Sequence, residues 1–187
     1  MITTNNKEYY EKIWSFKDHG KSFTKLQKKN ASVEYRFVHD SLGSNFRITE
    51  MQSAIGRIQL KNIIETRETR ARNASILIEN LMDLSVLRIP LPRNDITHAW
   101  YKFYCYVKPK YLKSNWNRDR IIKEINSKGF PAFQGSCSEI YLEKCFLERD
   151  LAPSKRLPIA KKLGDTSLMF LVHPTITIYG MTKYAET

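Results

Sequence analysis

One stretch constrains this chain before its composition is considered. Thr49-Glu50-Met51-Gln52 reads as a capping box. The threonine hydroxyl can accept from the backbone amide three residues on, and the Gln52 carboxamide can reach back to the amide of Thr49. Apolar residues then recur at Met51, Ala54, Ile55 and Ile58 and, after a shift, at Ile63 and Ile64; they return at Ala71, Ala74, Leu77, Ile78 and Leu81. The stretch Glu65 to Arg70 between them is wholly polar, with Glu68 spaced to pair Arg72 at i,i+4. The pattern predicts one helix from Thr49 to about Asp83, roughly 50 Å long at 1.5 Å per residue. Such a helix is longer than a small domain needs and joins two packed units, one at each end. Gly56 within it costs about 1 kcal/mol against Ala, which points to close packing at that position.

The flanking sequence alternates short strands and helices. Residues 7–18 predict a helix, with Tyr10, Ile13, Trp14 and Lys17 at helical spacing and Gly20 as its stop. Residues 21–45 read as a connector with one short strand near Val33–Val38. Val86–Ile89 is a short strand ended by Pro90 and Pro92. Trp100–Lys108 is an aromatic-rich strand with Tyr101, Phe103, Cys105 and Val107 on one face. Asn117–Lys128 is a helix with Ile121, Ile122 and Ile125 inward and Gly129 at its end. Glu139–Glu148 is a further helix, and Pro158–Leu163 another, with Pro158 in its first turn and Gly164 as its stop. Ser167–Val172 is a buried strand closed by Pro174. Together these give an α+β fold, a small sheet covered by helices.

Composition excludes several classes. Of 187 residues, 42% are hydrophobic and 12% aromatic, which supplies a core and argues against a disordered chain. No apolar run approaches a membrane span, and the first residues lack a basic region followed by an apolar one, so the cytosol is the expected compartment. Cys105, Cys137 and Cys145 are an odd count without CxxC spacing, and His19, His39, His98 and His173 are scattered; neither a disulfide framework nor a metal site is indicated. The net charge of +12 attracts anions. The local basic runs are modest, so nucleic acid is the weaker reading and a phosphorylated small molecule suits the charge as well. Cys137, between Ser136 and Ser138 ahead of a predicted helix, is either a thiol activated at a helix N-terminus or part of a capping turn. The turn is favoured, because no histidine is near in sequence.

A longer block carries a resemblance. Gly43-Ser44-Asn45-Phe46-Arg47-Ile48-Thr49-Glu50-Met51-Gln52-Ser53-Ala54-Ile55-Gly56-Arg57-Ile58-Gln59-Leu60 resembles the G-x-N-x-R-x-T/S-E-x-Q-A-A-x-G-x-x-Q-L signature of DegT/DnrJ/StrS-type sugar aminotransferases. These are pyridoxal 5'-phosphate (PLP) enzymes of the aspartate-aminotransferase fold, type I. The Lys12–Gly20 stretch, His98-Ala99-Trp100-Tyr101-Lys102-Phe103-Tyr104, the segment Ser136-Cys137-Ser138-Glu139-Ile140-Tyr141, Arg156-Leu157-Pro158-Ile159-Ala160 and Ser167–Pro174 resemble further family segments.

The resemblance implies the C-terminal half of such an enzyme. Residues 1–48 would be the end of the large PLP-binding domain and its connector, 49–83 the inter-domain helix, and 84–187 the small C-terminal α+β domain. The family's covalent PLP lysine lies upstream of the matching region, and the last residues look clipped within a final helix. A truncated enzyme inactive alone is therefore expected, with no catalytic residue in this chain, and with a homodimer mate or a separate N-terminal half as partner. Asn45 matches the family position that bonds the PLP phosphate of the neighbouring subunit; its alternative is a turn asparagine. Arg47, His98 and Ser136 match positions beside a nucleotide-diphospho sugar. Arg47 could equally form a structural ion pair, for instance with Glu50, and His98 alone reads as a strand-end histidine. The parent reaction would move an amino group, from glutamate, onto a nucleotide-linked keto sugar for surface polysaccharide. A non-enzymatic basic binding or regulatory module derived from the family is the alternative.

Overall fold

The computed structural model describes residues 2–27 and 38–187. All of the strand expected near Val33–Val38 except Val38 itself lies outside the described residues. The chain divides into two compact units, Met1–Lys61 and Asn62–Thr187. No helix among the described residues is long and apolar enough to cross a membrane.

The first unit contains α1 (Lys7–Lys17), α2 (Phe23–Gln27) and α3 (Glu50–Lys61). Asn6 caps α1 by accepting from the Tyr9 amide at 3.0 Å. Beyond α1 the chain turns sharply through His19 (φ 61°) and Gly20 (φ 81°). A Cβ on Gly20 would stand 1.8 Å from the Ser41 carbonyl oxygen, and one on Gly43 would stand 2.3 Å from the Gly20 nitrogen. The two backbones therefore meet where no side chain fits. Segment 44–46 lies along the end of α1, with hydrogen bonds from His19 N to Ser44 O, Ser44 N to Phe16 O and Phe46 N to Lys17 O. Phe16 and Phe46 stack with centroids 5.6 Å apart.

The second unit holds the apolar core. Its elements are α4 (Ile63–Leu81), β1 (Leu87–Arg88), β2 (Phe103–Val107), α5 (Arg118–Ser127), β3 (Ala132–Phe133), α6 (Lys144–Leu147), α7 (Pro158–Thr166), β4 (Ser167–Phe170) and α8 (Ile178–Ala185). The sheet has the order β1-β2-β4-β3, and every pairing is antiparallel. Phe103 faces Phe170 and Cys105 faces Leu168 across β2 and β4. Phe103, Cys105 and Val107 are buried, joined by Ala74 and Leu77 of α4, Ile122 of α5, Leu168 and Phe170 of β4, and Met181 and Tyr184 of α8. Each such large apolar side chain contributes about 1.5–3 kcal/mol by leaving water. Asn73, also fully buried, donates through Nδ2 to the carbonyls of His173 and Ile176 at 3.0 and 3.3 Å, tying α4 to the chain ahead of α8.

Five expectations are corrected. The single helix over 49–83 is two helices interrupted at Asn62, which has φ −94° and ψ 1° and begins α4 by offering its carbonyl to the Thr66 amide at 3.0 Å. Gly56 has nothing within 4 Å of where a Cβ would stand, so no close packing among the described residues explains it. The aromatic strand begins at Phe103; Trp100 takes φ 45°, Tyr101 is 73% exposed, and their carbonyls accept from Arg70 Nη1 at 3.4 and 3.0 Å in place of a ladder. The segment 139–148 is a 3₁₀ turn, Ile140–Leu142, and the short α6, separated by Glu143 in extended conformation.

The end of α7 differs as well. Gly164 does not stop it, and the helix runs on to Thr166. Ser138 fills the space beside Gly164, and Arg118 Nη1 donates to the carbonyls of Gly164 and Ser167 at 3.0 and 3.1 Å, satisfying the helix end.

Candidate functional site

Asn45 and Arg47 come together in the first unit. The pairing of segment 44–46 with the α1 turn sets Asn45 opposite Asp18. Arg47 donates to Asn45 Oδ1 twice, from its backbone amide at 3.3 Å and from Nε at 3.2 Å. Its Nη1 reaches Asp18 Oδ2 at 3.4 Å. The carboxamide is thereby oriented, and among the described residues its Nδ2 meets no acceptor. An amide donor held this way suits a phosphate oxygen, and a guanidinium beside it supplies positive charge.

Arg47 thus forms the structural ion pair that was one of its two readings, with Asp18 in place of Glu50. Asp18 is buried, and Lys21 lies 3.1 Å from its other oxygen. Burial pushes the Asp18 carboxyl up, but the Lys21 hydrogen bond and the charges of Arg47, Lys21 and His19 outweigh it and hold the group below the ordinary carboxylate range. Sequence reasoning passed over Asp18. Its signal was an acidic residue directly ahead of the His19-Gly20 turn. Beside this cluster an open, mostly apolar groove of about 730 Å³ is lined by Ile13, Phe16, Phe23, Leu42 and Phe46.

His98 and Ser136 belong to the second unit, on separate loops. His98 is exposed; its Nδ1 accepts from the Trp100 amide at 3.0 Å and its ring meets the Trp100 ring edge-on, centroids 4.4 Å apart. With Nδ1 accepting, the neutral imidazole carries its proton on Nε2, leaving a donor. Ser136 is exposed at the apex of the loop that follows β3.

Cys137, next to Ser136, donates through Sγ to Glu143 Oε1 at 3.0 Å. That hydrogen bond, with some burial and the Glu143 charge, raises the thiol above its ordinary value. The activated-thiolate reading therefore fails, because the partner stabilises the protonated form. Among the described residues no group of three or more potential ligands can hold a metal ion.

A model of the DegT/DnrJ/EryC1/StrS aminotransferase family matches residues 1–182. The X-ray structure of an aminotransferase from Psychrobacter cryohalolentis is 43% identical and superposes with a TM-score of 0.86, covering 98% of this chain and 49% of that one. GDP-4-keto-6-deoxy-D-mannose-3-dehydratase of E. coli, solved with bound hydrated PLP, is 21% identical with a TM-score of 0.79, covering 98% of this chain and 48% of that one, a likeness of fold. GDP-perosamine synthase of Escherichia coli O157:H7 is 26% identical over 101 residues, 54% of this chain and 24% of the synthase. The chain spans about half the length of the two solved proteins and a smaller share of the synthase.

Proposed function

This chain belongs to the DegT/DnrJ/EryC1/StrS aminotransferase family, and from that premise we propose that it supplies the small-domain half of a PLP-dependent sugar aminotransferase. The reaction moves an amino group, from glutamate, onto a keto sugar linked to a nucleoside diphosphate, for surface polysaccharide. The lysine that joins the cofactor covalently is contributed from outside residues 1–187, so the chain alone is inactive.

One observation carries the reading. Asn45 is oriented through its oxygen by Arg47, and among the described residues its Nδ2 remains available to donate. PLP, when bound, supplies the electron sink for the carbon that exchanges the amine. The chain's own residues bind and orient. Asn45 Nδ2 would donate to a phosphate oxygen of the cofactor held by the neighbouring subunit. Asp18 fixes Arg47, whose remaining guanidinium face adds positive charge for an anionic substrate. His98 Nε2–H and the Ser136 hydroxyl offer donors to the sugar. The +12 charge of the chain favours a nucleotide-linked substrate over a neutral sugar.

The test is a glutamate-dependent transaminase assay on nucleotide-linked keto sugars. The chain is assayed alone and mixed with a lysine-bearing N-terminal half from a family member. Activity is expected only in the mixture, and Asn45→Ala in that mixture should weaken PLP retention without unfolding the chain. Activity of the chain alone would overturn the dependence on an outside lysine. No activity in a mixture that demonstrably binds PLP would move weight to a non-enzymatic basic module.

A further inference from the structure

We propose that Glu139, gripped by Arg156 and Tyr141, is a positioning residue that holds the Ser136–Cys137 turn as a preformed contact for the nucleoside diphospho-sugar. The proposal rests on the assignment of Ser136 to the substrate and adds the device that sets its geometry.

The loop from Gln134 to Glu143 is pinned on both sides of that turn. On the first side, Ser167 Oγ donates to the Gln134 carbonyl at 2.6 Å. Gly135 takes φ 101°, and a Cβ there would stand 2.6 Å from Tyr104 Cε1, so the Tyr104 ring lies against bare backbone. On the second side, Ser138 occupies the place of a Gly164 side chain; a Cβ at Gly164 would stand 2.2 Å from Ser138 Oγ.

Glu139 comes next, its side chain only 11% exposed. It accepts from Arg156 Nε at 2.8 Å and Nη2 at 2.6 Å, a bidentate pair, and from the Tyr141 hydroxyl at 2.6 Å. The Tyr141 oxygen in turn accepts from the Leu157 amide at 2.9 Å, joining the clamp to the start of α7.

Between these anchors Ser136 and Cys137 stay exposed. They add nothing to the apolar core, whereas fixing each residue of a loop costs backbone entropy. A paired carboxylate withdrawn from water adds little net stability either. What the clamp secures is geometry: a hydroxyl held at a fixed apex by side chains that are themselves locked, the arrangement a binding contact requires. Arg156 and Tyr141 hold the Glu139 carboxyl at about 2, far below its ordinary value, so the grip persists across the physiological range.

Cys137 is a built-in reporter, since Cys105 is buried and Cys145→Ser leaves one exposed thiol. The full chain with Cys145→Ser is alkylated with iodoacetamide in the presence and absence of UDP-glucose, dTDP-glucose and GDP-mannose. Equilibrium dialysis of the same sugars is run in parallel. At least one sugar should slow Cys137 alkylation about threefold or more. In Glu139→Gln the unliganded rate should rise about threefold and the protection should vanish, as expected when a local clamp opens. Tyr141→Phe removes one hydroxyl only and should give an intermediate loss of protection, which keeps the test decisive should Glu139→Gln fail to fold. Protection unchanged in both variants overturns the positioning role. Binding by dialysis without protection of Cys137 overturns this inference alone. No binding of any of the sugars overturns this inference, while the proposed function is decided separately by the transaminase assay of the mixture.

Discussion

Thr49 and Gln52 exchange hydrogen bonds across the first turn of α3. The Gln52 amide donates to Thr49 Oγ1 at 3.3 Å, and the Thr49 amide donates to Gln52 Oε1 at 3.0 Å. Two amides that a helix start leaves without partners are satisfied by one pair of side chains. Thr49→Ala removes one of these bonds and should cost about 1 kcal/mol of α3 stability. The measurement is amide exchange at Gln52 and Ser53, where protection should fall in Thr49→Ala and persist in Thr49→Ser. Equal exchange in the alanine variant and the parent would show that the box contributes nothing.

Gly56 gives a prediction of opposite sign. Its helical backbone has open space where a side chain would go. Gly56→Ala should therefore stabilise α3 by about 1 kcal/mol, through helix propensity alone. The helical signal in thermal melts by circular dichroism reads this directly. A lower melting temperature would mean that something outside the chain packs against Gly56.

The parts of the fold that were legible in the sequence are those set by local chemistry. The Thr49 box and the Ile121, Ile122 and Ile125 face of α5 appear where capping and periodicity placed them. The break at Asn62 was not: Leu60 lies three and four residues before Ile63 and Ile64, so the apolar series fits one continuous helix across it. Nor were elements governed by partners distant in sequence. Tyr101 alternates correctly for a strand, yet Arg70, thirty-one residues away, takes its carbonyl. Gly164 looks like a helix stop until Ser138 is found beside it. In the candidate site, Asn45 and Arg47 meet as residues two apart in one motif. Asp18, which anchors Arg47, lies twenty-nine residues earlier in the chain and is brought close only by the turn at Gly20.

Acid should open the loop that carries Ser136. The Arg156 and Tyr141 hydrogen bonds lower the Glu139 carboxyl from 4.5 to about 2. A group depressed in the folded state stabilises it above its unfolded value and loses that contribution as pH falls through its folded value. The stability carried by this pair should thus be intact above about pH 5 and decline between about pH 4.5 and 2. Denaturant midpoints for the parent and Glu139→Gln, taken through that window, should converge as the acid limit is approached. Curves that stay parallel would show that the pair is uncoupled from stability.

Cys105 and Cys137 should separate by reactivity. Burial pushes Cys105 up to about 12 and keeps reagents out, so it should react only after denaturation. Cys137 is exposed but held protonated by Glu143. Glu143→Gln removes the carboxylate acceptor and should speed its alkylation at neutral pH several-fold, by less than about tenfold. An unchanged rate in Glu143→Gln would show that the hydrogen bond does not govern the thiol.

The outer face of α3 makes the strongest claim on a partner. Met51, Ile55 and Ile58 follow one another at helical spacing on one face and are 78%, 62% and 59% exposed. Ile48 ahead of them and Leu60 beyond are exposed as well. Single exposed apolar residues are ordinary, but a contiguous apolar face on a helix marks an interaction surface. The chain alone should therefore self-associate, and a lysine-bearing N-terminal half should compete for the same face. Sedimentation velocity over a concentration series measures the first. Ile55→Lys, which places a charge in the middle of the face without touching the capping box, should shift the chain toward monomer while leaving its far-ultraviolet spectrum unchanged. The same substitution should weaken capture of the N-terminal half, because one face serves both partners. A parent chain that sediments as a monomer throughout, and that binds the N-terminal half equally well with Lys at position 55, would remove α3 from any interface.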